Sequence, residues 1–276
     1  MTRLLLGAAS ILVVPLCSIV GHEVWQMTTH LRYPVGLADP NQVMKAASYA
    51  SHGARASDVL TLETVRPQPH QPASPGFIVI RVAAAALNPV DFKQMRSWQP
   101  DALVPKPRIA GFDVSGVVVS AGKGTPFEVG DAVFGMLPLV GSPWGALAEL
   151  TVAHASCFAH APKSIPLEDA SALPLVGLTV MQVFEQAGLF AVDGARADGT
   201  RTEQSVLIHA AAGGVGSIAV QYARNILGFG RVVGQAPARH TARSGEARLN
   251  PDPEIARTLA PTQARARRTT PSSCSN

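Results

Sequence analysis

The chain has 276 residues, room for two domains or one large one. Apolar residues make up 47% and charged residues only 15%, which excludes a chain disordered throughout or one that coats nucleic acid. The formal net charge of +4 signals no anionic partner, because the stretch from Ala236 onward carries seven Arg against Glu246, Asp252 and Glu254 and the remainder is neutral. Cys17, Cys157 and Cys274 are scattered, with no CxxC pair, so neither a disulfide framework nor a Cys-rich zinc lobe can be built, and a reducing compartment is the simpler reading.

The first predicted element is the uncharged run over residues 4–21, LLLGAASILVVPLCSIVG. Its length is at the lower edge of what spans a hydrocarbon core of roughly 30 Å. Arg3 gives a minimal positive flank and no small-x-small cleavage site follows, so a membrane anchor fits better than a cleaved signal. The alternative is a start codon placed too far upstream, which would leave a cytoplasmic protein. Only Arg3 and Arg32 are basic here and Glu23 is present, which disfavours a mitochondrial presequence.

Strands follow. Phe77–Ala85 is a β-branched run after the Pro- and Gln-rich break at Pro67–Pro75. Val114–Ser120, Asp131–Met136 and Leu147–Ala153 are further strands set apart by Gly and Pro, the spacing of a small barrel. The pattern then changes to helical period over Leu167–Leu173, after Pro166, and over Thr179–Ala187. After the polar loop Asp193–Gln204, Ser205–Ala210 (SVLIHA) reads as a buried strand, Ser217–Leu227 as an amphipathic helix and Arg231–Gly234 as the start of a second strand. This is one βαβ unit. From Gln235 to Asn276 no period of either kind survives, and Ala, Arg, Pro, Thr and Ser dominate, a composition of disorder.

Between the predicted strand and helix lies Ala211-Ala212-Gly213-Gly214-Val215-Gly216, the spacing GxGxxG with its first Gly replaced by Ala. The strand-to-helix context gives the motif its meaning. Gly213 and Gly214 let backbone approach a pyrophosphate, Gly216 lets the helix pack close to the strand, and the amides of the first helical turn complement the phosphate charge. The bland alternative is a tight Gly-rich turn without ligand. At the end of the second strand, Gly230–Gln235 offers no acid for a ribose 2′-hydroxyl, and Arg239 just beyond could pair with a 2′-phosphate, which favours NADP(H) over NAD(H).

Three further stretches carry a family resemblance: AAAALNPVDFK (Ala83–Lys93), IAGFDVSGVVVSAGKGTPFEVGDAVFGM (Ile109–Met136), and the run from Gly145 to Leu189. With SVLIHAAAGGVGSIAVQYA they resemble, in the family's order, the zinc-independent medium-chain dehydrogenases/reductases related to the NADPH:quinone oxidoreductases. The resemblance implies an α/β chain with a GroES-like β-barrel catalytic domain and then an incomplete Rossmann domain. The domains expected are an N-terminal extension over 1–43, the GroES-like domain over 44–165, the start of the NADP-binding domain over 166–234 and a disordered basic tail over 235–276.

The resemblance also orders the site. Zinc alcohol dehydrogenases place Cys where this chain has Asn88, and Gly-His-Glu where it has Gly111-Phe112-Asp113; without thiolate and imidazole no catalytic zinc is expected. Asn88 and Asp91 are expected beside the nicotinamide with Lys93 as a nearby cation, although Asn-Pro-x-Asp is also good turn chemistry. Thr179 matches a cofactor contact of the family; its alternative role is to cap a helix start. Enoyl-thioester reductases of the family carry a Tyr donor after the Asn-Pro motif, whereas this chain has Trp98 there and no Tyr between Tyr49 and Tyr222. What the resemblance implies is hydride transfer from NADPH to a quinone or conjugated enone, with no nucleic acid partner and with a homodimer if the Rossmann domain is complete. The competing reading is an inactive fragment that serves as a binding or scaffold protein, or an artefactual gene model, because a single βαβ unit leaves a sheet face uncovered.

Overall fold

The computed structural model describes residues 4–6, 9–11, 38–69, 73–97, 106–139, 141–189 and 202–235. Strands β1 (Leu4–Leu6) and β2 (Ala9–Ile11) pair antiparallel. Among the described residues no helix is long and apolar enough to cross a membrane, and the rest of the apolar run lies outside them, as do Trp98 and the tail with Arg239.

β3 (Ala38–Tyr49) begins ahead of residue 44, the expected start of the GroES-like domain, and pairs with β4 (Thr61–Pro69) on one side and β6 (Arg108–Ile109) on the other. A second, five-stranded antiparallel sheet has the order β10–β8–β7–β5–β9, built from β5 (Phe77–Ala86), β7 (Asp113–Ala121), β8 (Ala132–Met136), β9 (Leu150–His154) and β10 (Phe158–His160). The two sheets are stitched together by a bridge between Ala46 and Ala148 and by the Ala47 N–H donating to the Leu147 carbonyl at 2.8 Å. The apolar run at the start of β5 is explained by its place between β7 and β9. Successive strand residues face opposite ways, so Phe77 and Val79 enter a core with Met44, Ile109, Trp144 and Val152, while Ile78 and Ile80 enter another with Val118, Phe127 and Val133.

Between β5 and β6, where the sequence offered a turn as the alternative to a nicotinamide-facing site, the structure has a helix, α1 (Pro89–Met95). Its signals are local: Asn88 at the N-cap, Pro at the first helical position and Asp91 at the third.

The second half holds α2 (Leu167–Ala170), α3 (Pro174–Gln186), β11 (Thr202–His209), α4 (Gly214–Asn225) and β12 (Phe229–Gln235). β11 and β12 are parallel, in register from Ser205 opposite Arg231 to His209 opposite Gln235. Val206 and Ile208 bury against Val180, Met181 and Phe184 of α3 and Ala219, Tyr222 and Ala223 of α4. The Phe184 and Tyr222 rings stack at 5.7 Å. Both helices therefore cover one face; on the other, Val233 is 39% exposed.

Candidate functional site

The N-terminus of α1 carries the first half of the site. Asn88 is half-buried at the N-cap, its backbone N–H donates to the Asp91 carboxylate, and its Nδ2 donates to Asp113 Oδ2 at 2.8 Å. Asp113 opens β7, is fully buried, and also accepts the backbone N–H of Leu175, in the first turn of α3, on Oδ1 at 3.0 Å. One carboxylate thus joins the Asn88 amide to the second half of the chain. Asp91 is 6% exposed, and its Oδ1 has no hydrogen-bond partner among the described residues.

Burial, which disfavours the charged form, sets the electrostatics. It pushes Asp113 up to about 7, opposed by the hydrogen bonds from Asn88 and Leu175 and assisted by the charge of Asp91. It pushes Asp91 up to about 6, opposed by the Asn88 backbone bond and the Arg108 guanidinium. A stability consequence follows. From the unfolded value of 3.8 up to about 7 the native carboxyls hold protons that the unfolded chain has released, so stability falls as pH rises through that window. Thermal melts should therefore show Tm declining from pH 5 to pH 8, with a shallower decline for Asp113→Asn; a Tm that climbs over this range in both proteins would contradict the burial argument.

Behind the carboxyls lies Arg108, fully buried in β6. Its guanidinium donates to the carbonyls of Ser142 (2.7 Å) and Pro138 (2.8 Å) and lies 5.1 Å from the centre of the Phe112 ring. Tyr49 donates to Gln94 Oε1 at 2.8 Å, and Gln94 Nε2 to the Leu139 carbonyl at 2.6 Å. Burial pushes the Tyr49 phenol up to about 12, which suits a structural tie and not a proton donor.

The second half is the glycine turn. Ala210 sits in the left-handed region at φ 55, which folds its carbonyl back over the turn to accept the Gly213 N–H at 2.9 Å. A Cβ on Gly216 would lie 2.2 Å from that carbonyl oxygen, so glycine is required for α4 to start there. A Cβ on Gly213 would meet only the Ala210 oxygen, at 3.3 Å, and Ala212, Gly213 and Gly214 are exposed. The first amides of α4, from Gly214, Val215 and Gly216, have no intrahelical acceptor. The open turn and these amides fit a phosphate-bearing cofactor. The Ala211 N–H donates to the Gln235 carbonyl at 3.0 Å, and a Cβ on Gly234 would lie 2.8 Å from the Ala211 side chain, so the end of β12 abuts the first position of the motif.

α3 links the halves. Val176 is the residue a Cβ on Gly214 would touch, at 3.4 Å, and its neighbour Leu175 is tied to Asp113. Thr179 is buried inside α3, with Oγ1 donating to the Leu175 carbonyl at 2.8 Å, so its alternative role as a helix-start cap does not hold. The structure therefore gathers Asn88, Asp91 and Thr179 around one network and places the motif from Ala211 to Gly216 beside it. Lys93 is exposed and stands outside the network. Sequence reasoning missed Asp113, noted only as a failed metal position, and it missed Arg108, Tyr49 and Gln94. A charged residue heading the apolar run RIAGF was the available signal for Arg108.

A GroES-like β unit running into a nucleotide-type βαβ unit is the architecture of the medium-chain dehydrogenases/reductases. Residues 74–163 match the alcohol dehydrogenase GroES-like domain. The chain is 34% identical over 194 residues to 2-methylene-furan-3-one reductase of Solanum lycopersicum, covering 68% of this chain and 46% of that protein. It is 34% identical over 202 residues to the chloroplastic NADPH-dependent alkenal/one oxidoreductase of Arabidopsis thaliana, covering 70% and 47%. Its structure resembles that of the quinone oxidoreductase from Coxiella burnetii with a TM-score of 0.58 at 29% identity, over 72% of this chain and 58% of that one. These likenesses are to the medium-chain dehydrogenase/reductase family, on its quinone and enone oxidoreductase side. It spans about half the length of the curated relatives named here.

Proposed function

We propose that this protein is a zinc-independent reductase that uses NADPH to reduce a quinone or a conjugated enone. The observation that carries the reading is the continuous path from the open Gly213–Gly214 turn, through Val176 and Leu175 of α3, to Asp113 and the Asn88 amide. The names of the relatives, a furanone reductase, an alkenal/one oxidoreductase and a quinone oxidoreductase, support the substrate class.

When bound, the cofactor supplies a hydride; the protein orients it. The backbone of Ala211, Ala212, Gly213, Gly214, Val215 and Gly216 would receive the pyrophosphate, with Thr179 on the neighbouring helix. Asn88 and Asp91 would stand at the nicotinamide end, with the Asp91 carboxylate buried behind the Asn88 cap. An acceptor that needs little polarisation suits this set: Asn88 is engaged with Asp113, and Phe112 lies against Arg108, so neither position offers a metal ligand. Gly234 and Gln235 place no carboxylate at the end of β12, which supports NADPH over NADH. Fluorescence titration of the full chain should show tighter binding of NADPH than of NADH. An equal or stronger response to NADH would overturn the preference, and no response to either would overturn the reading itself.

A further inference from the structure

We infer that Asp113 is a positioning residue that locks the Asn88 amide to the nucleotide-binding half of the chain, so that occupancy of the glycine turn is felt at Asn88. This rests on the reading of the glycine turn as the cofactor site. Asp113 is the only described side chain hydrogen-bonded both to Asn88 and to the backbone of α3. Its two oxygens serve two donors on separate elements, Asn88 Nδ2 on the α1 cap at 2.8 Å and the Leu175 N–H on α3 at 3.0 Å. Above about pH 7, where the hydrogen-exchange comparison is made, the carboxylate is ionised and accepts from both donors without bringing a proton of its own. Full burial leaves no water to take over either bond. From Leu175 the path continues through adjacent Val176 to Gly214, and through the Leu175 carbonyl to Thr179. A shift of the α3 N-terminus therefore moves Asp113, and Asp113 turns the Asn88 amide.

Asp113→Asn keeps the volume and breaks the logic, since its amide nitrogen must face either Asn88 Nδ2 or the Leu175 N–H, a donor against a donor. Hydrogen exchange read by mass spectrometry on the full chain tests the bridge without reference to turnover. Without cofactor, Asp113→Asn should exchange about tenfold faster in both 87–92 and 173–180, with 114–121 and 132–136 unchanged. Asn88→Ala, which removes one end of the bridge, should quicken 87–92 alone. Acceleration by Asp113→Asn at only one of the two segments, or spread through β7 and β8, would reduce Asp113 to an ordinary core residue and overturn the inference; so would acceleration of 173–180 by Asn88→Ala equal to that of Asp113→Asn. Added ADP-ribose, which carries the pyrophosphate to the glycine turn but no nicotinamide to touch Asn88, should protect 211–217 and 87–92 together in the wild type, and 211–217 alone in either variant. Retained protection of 87–92 in the variants would overturn the inference, whereas no protection anywhere in the wild type would overturn the cofactor reading and leave the cofactor-free comparison to decide on Asp113.

Discussion

Gly216→Val is expected to unfold the β11–α4–β12 unit, and Gly213→Val to leave it folded but unable to bind NADPH. The two glycines stand in one turn and differ in what surrounds them. At position 216 a Cβ would lie 2.2 Å from the Ala210 carbonyl oxygen and 2.7 Å from the Ala211 Cα. Both are backbone atoms, and Ala210 already occupies the left-handed region, so the turn has no slack and α4 must lift from β11. Val206, Ile208, Ala219 and Ala223 would then lose their contacts, at a cost upwards of ~3 kcal/mol. At position 213 a Cβ would meet only the Ala210 oxygen, at 3.3 Å, a contact that a shift of a few tenths of an ångström relieves, and the stability cost should be about 1 kcal/mol, that of a poor N-cap residue. The valine would instead fill the approach of the phosphates, and losing one or two charge-assisted hydrogen bonds weakens binding by about 100-fold or more. Circular dichroism melts and NADPH titration separate the two outcomes. A Gly216→Val protein with native melting would show that the turn can relax; a Gly213→Val protein that binds NADPH normally would show that the cofactor does not sit there.

Arg108→Met should be the most destabilising single change in the β sheets, at about 3–5 kcal/mol, or roughly 10 °C in Tm. The guanidinium is fully buried, holds the carbonyls of Pro138 and Ser142, and rests on Phe112. Removing it leaves those carbonyls desolvated without a donor. Arg108→Lys should recover only part of the loss, because one ammonium cannot present the planar fork that reaches both oxygens while stacking on a ring. The effect extends to the site, since the guanidinium holds down the Asp91 and Tyr49 values that burial raises, and without it Asp91 titrates higher still. Thermal denaturation of the three proteins tests this, and a methionine variant as stable as the wild type would sink the argument.

The elements of the βαβ unit were legible because their signals are local. The buried pattern at Ser205–Ala210, the glycine spacing and the helical period after Ser217 each lie within one turn or one strand, and the observed elements, Thr202–His209 and Gly214–Asn225, differ from the reading only at their ends. The Asn-Pro-x-Asp stretch was equally local but ambiguous. Asn, Pro and Asp favour turns and helix starts for the same reasons, fixed φ and side-chain bonds to nearby backbone N–H groups, and only the buried positions of Gln94 and Met95 against the β layer make it α1.

From the sequence alone came the order of elements in the βαβ unit, the glycine turn, the lack of zinc-ligand residue types at Asn88 and Phe112 and the lack of an acid at Gly234–Gln235, all properties of residue type at a fixed spacing. The tertiary structure alone decided which polar groups meet. Asp113 bonds Asn88 and Leu175, Tyr49 bonds Gln94, and Arg108 reaches Pro138 and Ser142, across separations of 25 to 62 residues. A polar residue in an apolar run announces that it needs a partner, because burial without one costs too much free energy. Which partner it finds depends on how sheets and helices stack, and no periodicity along the chain encodes that.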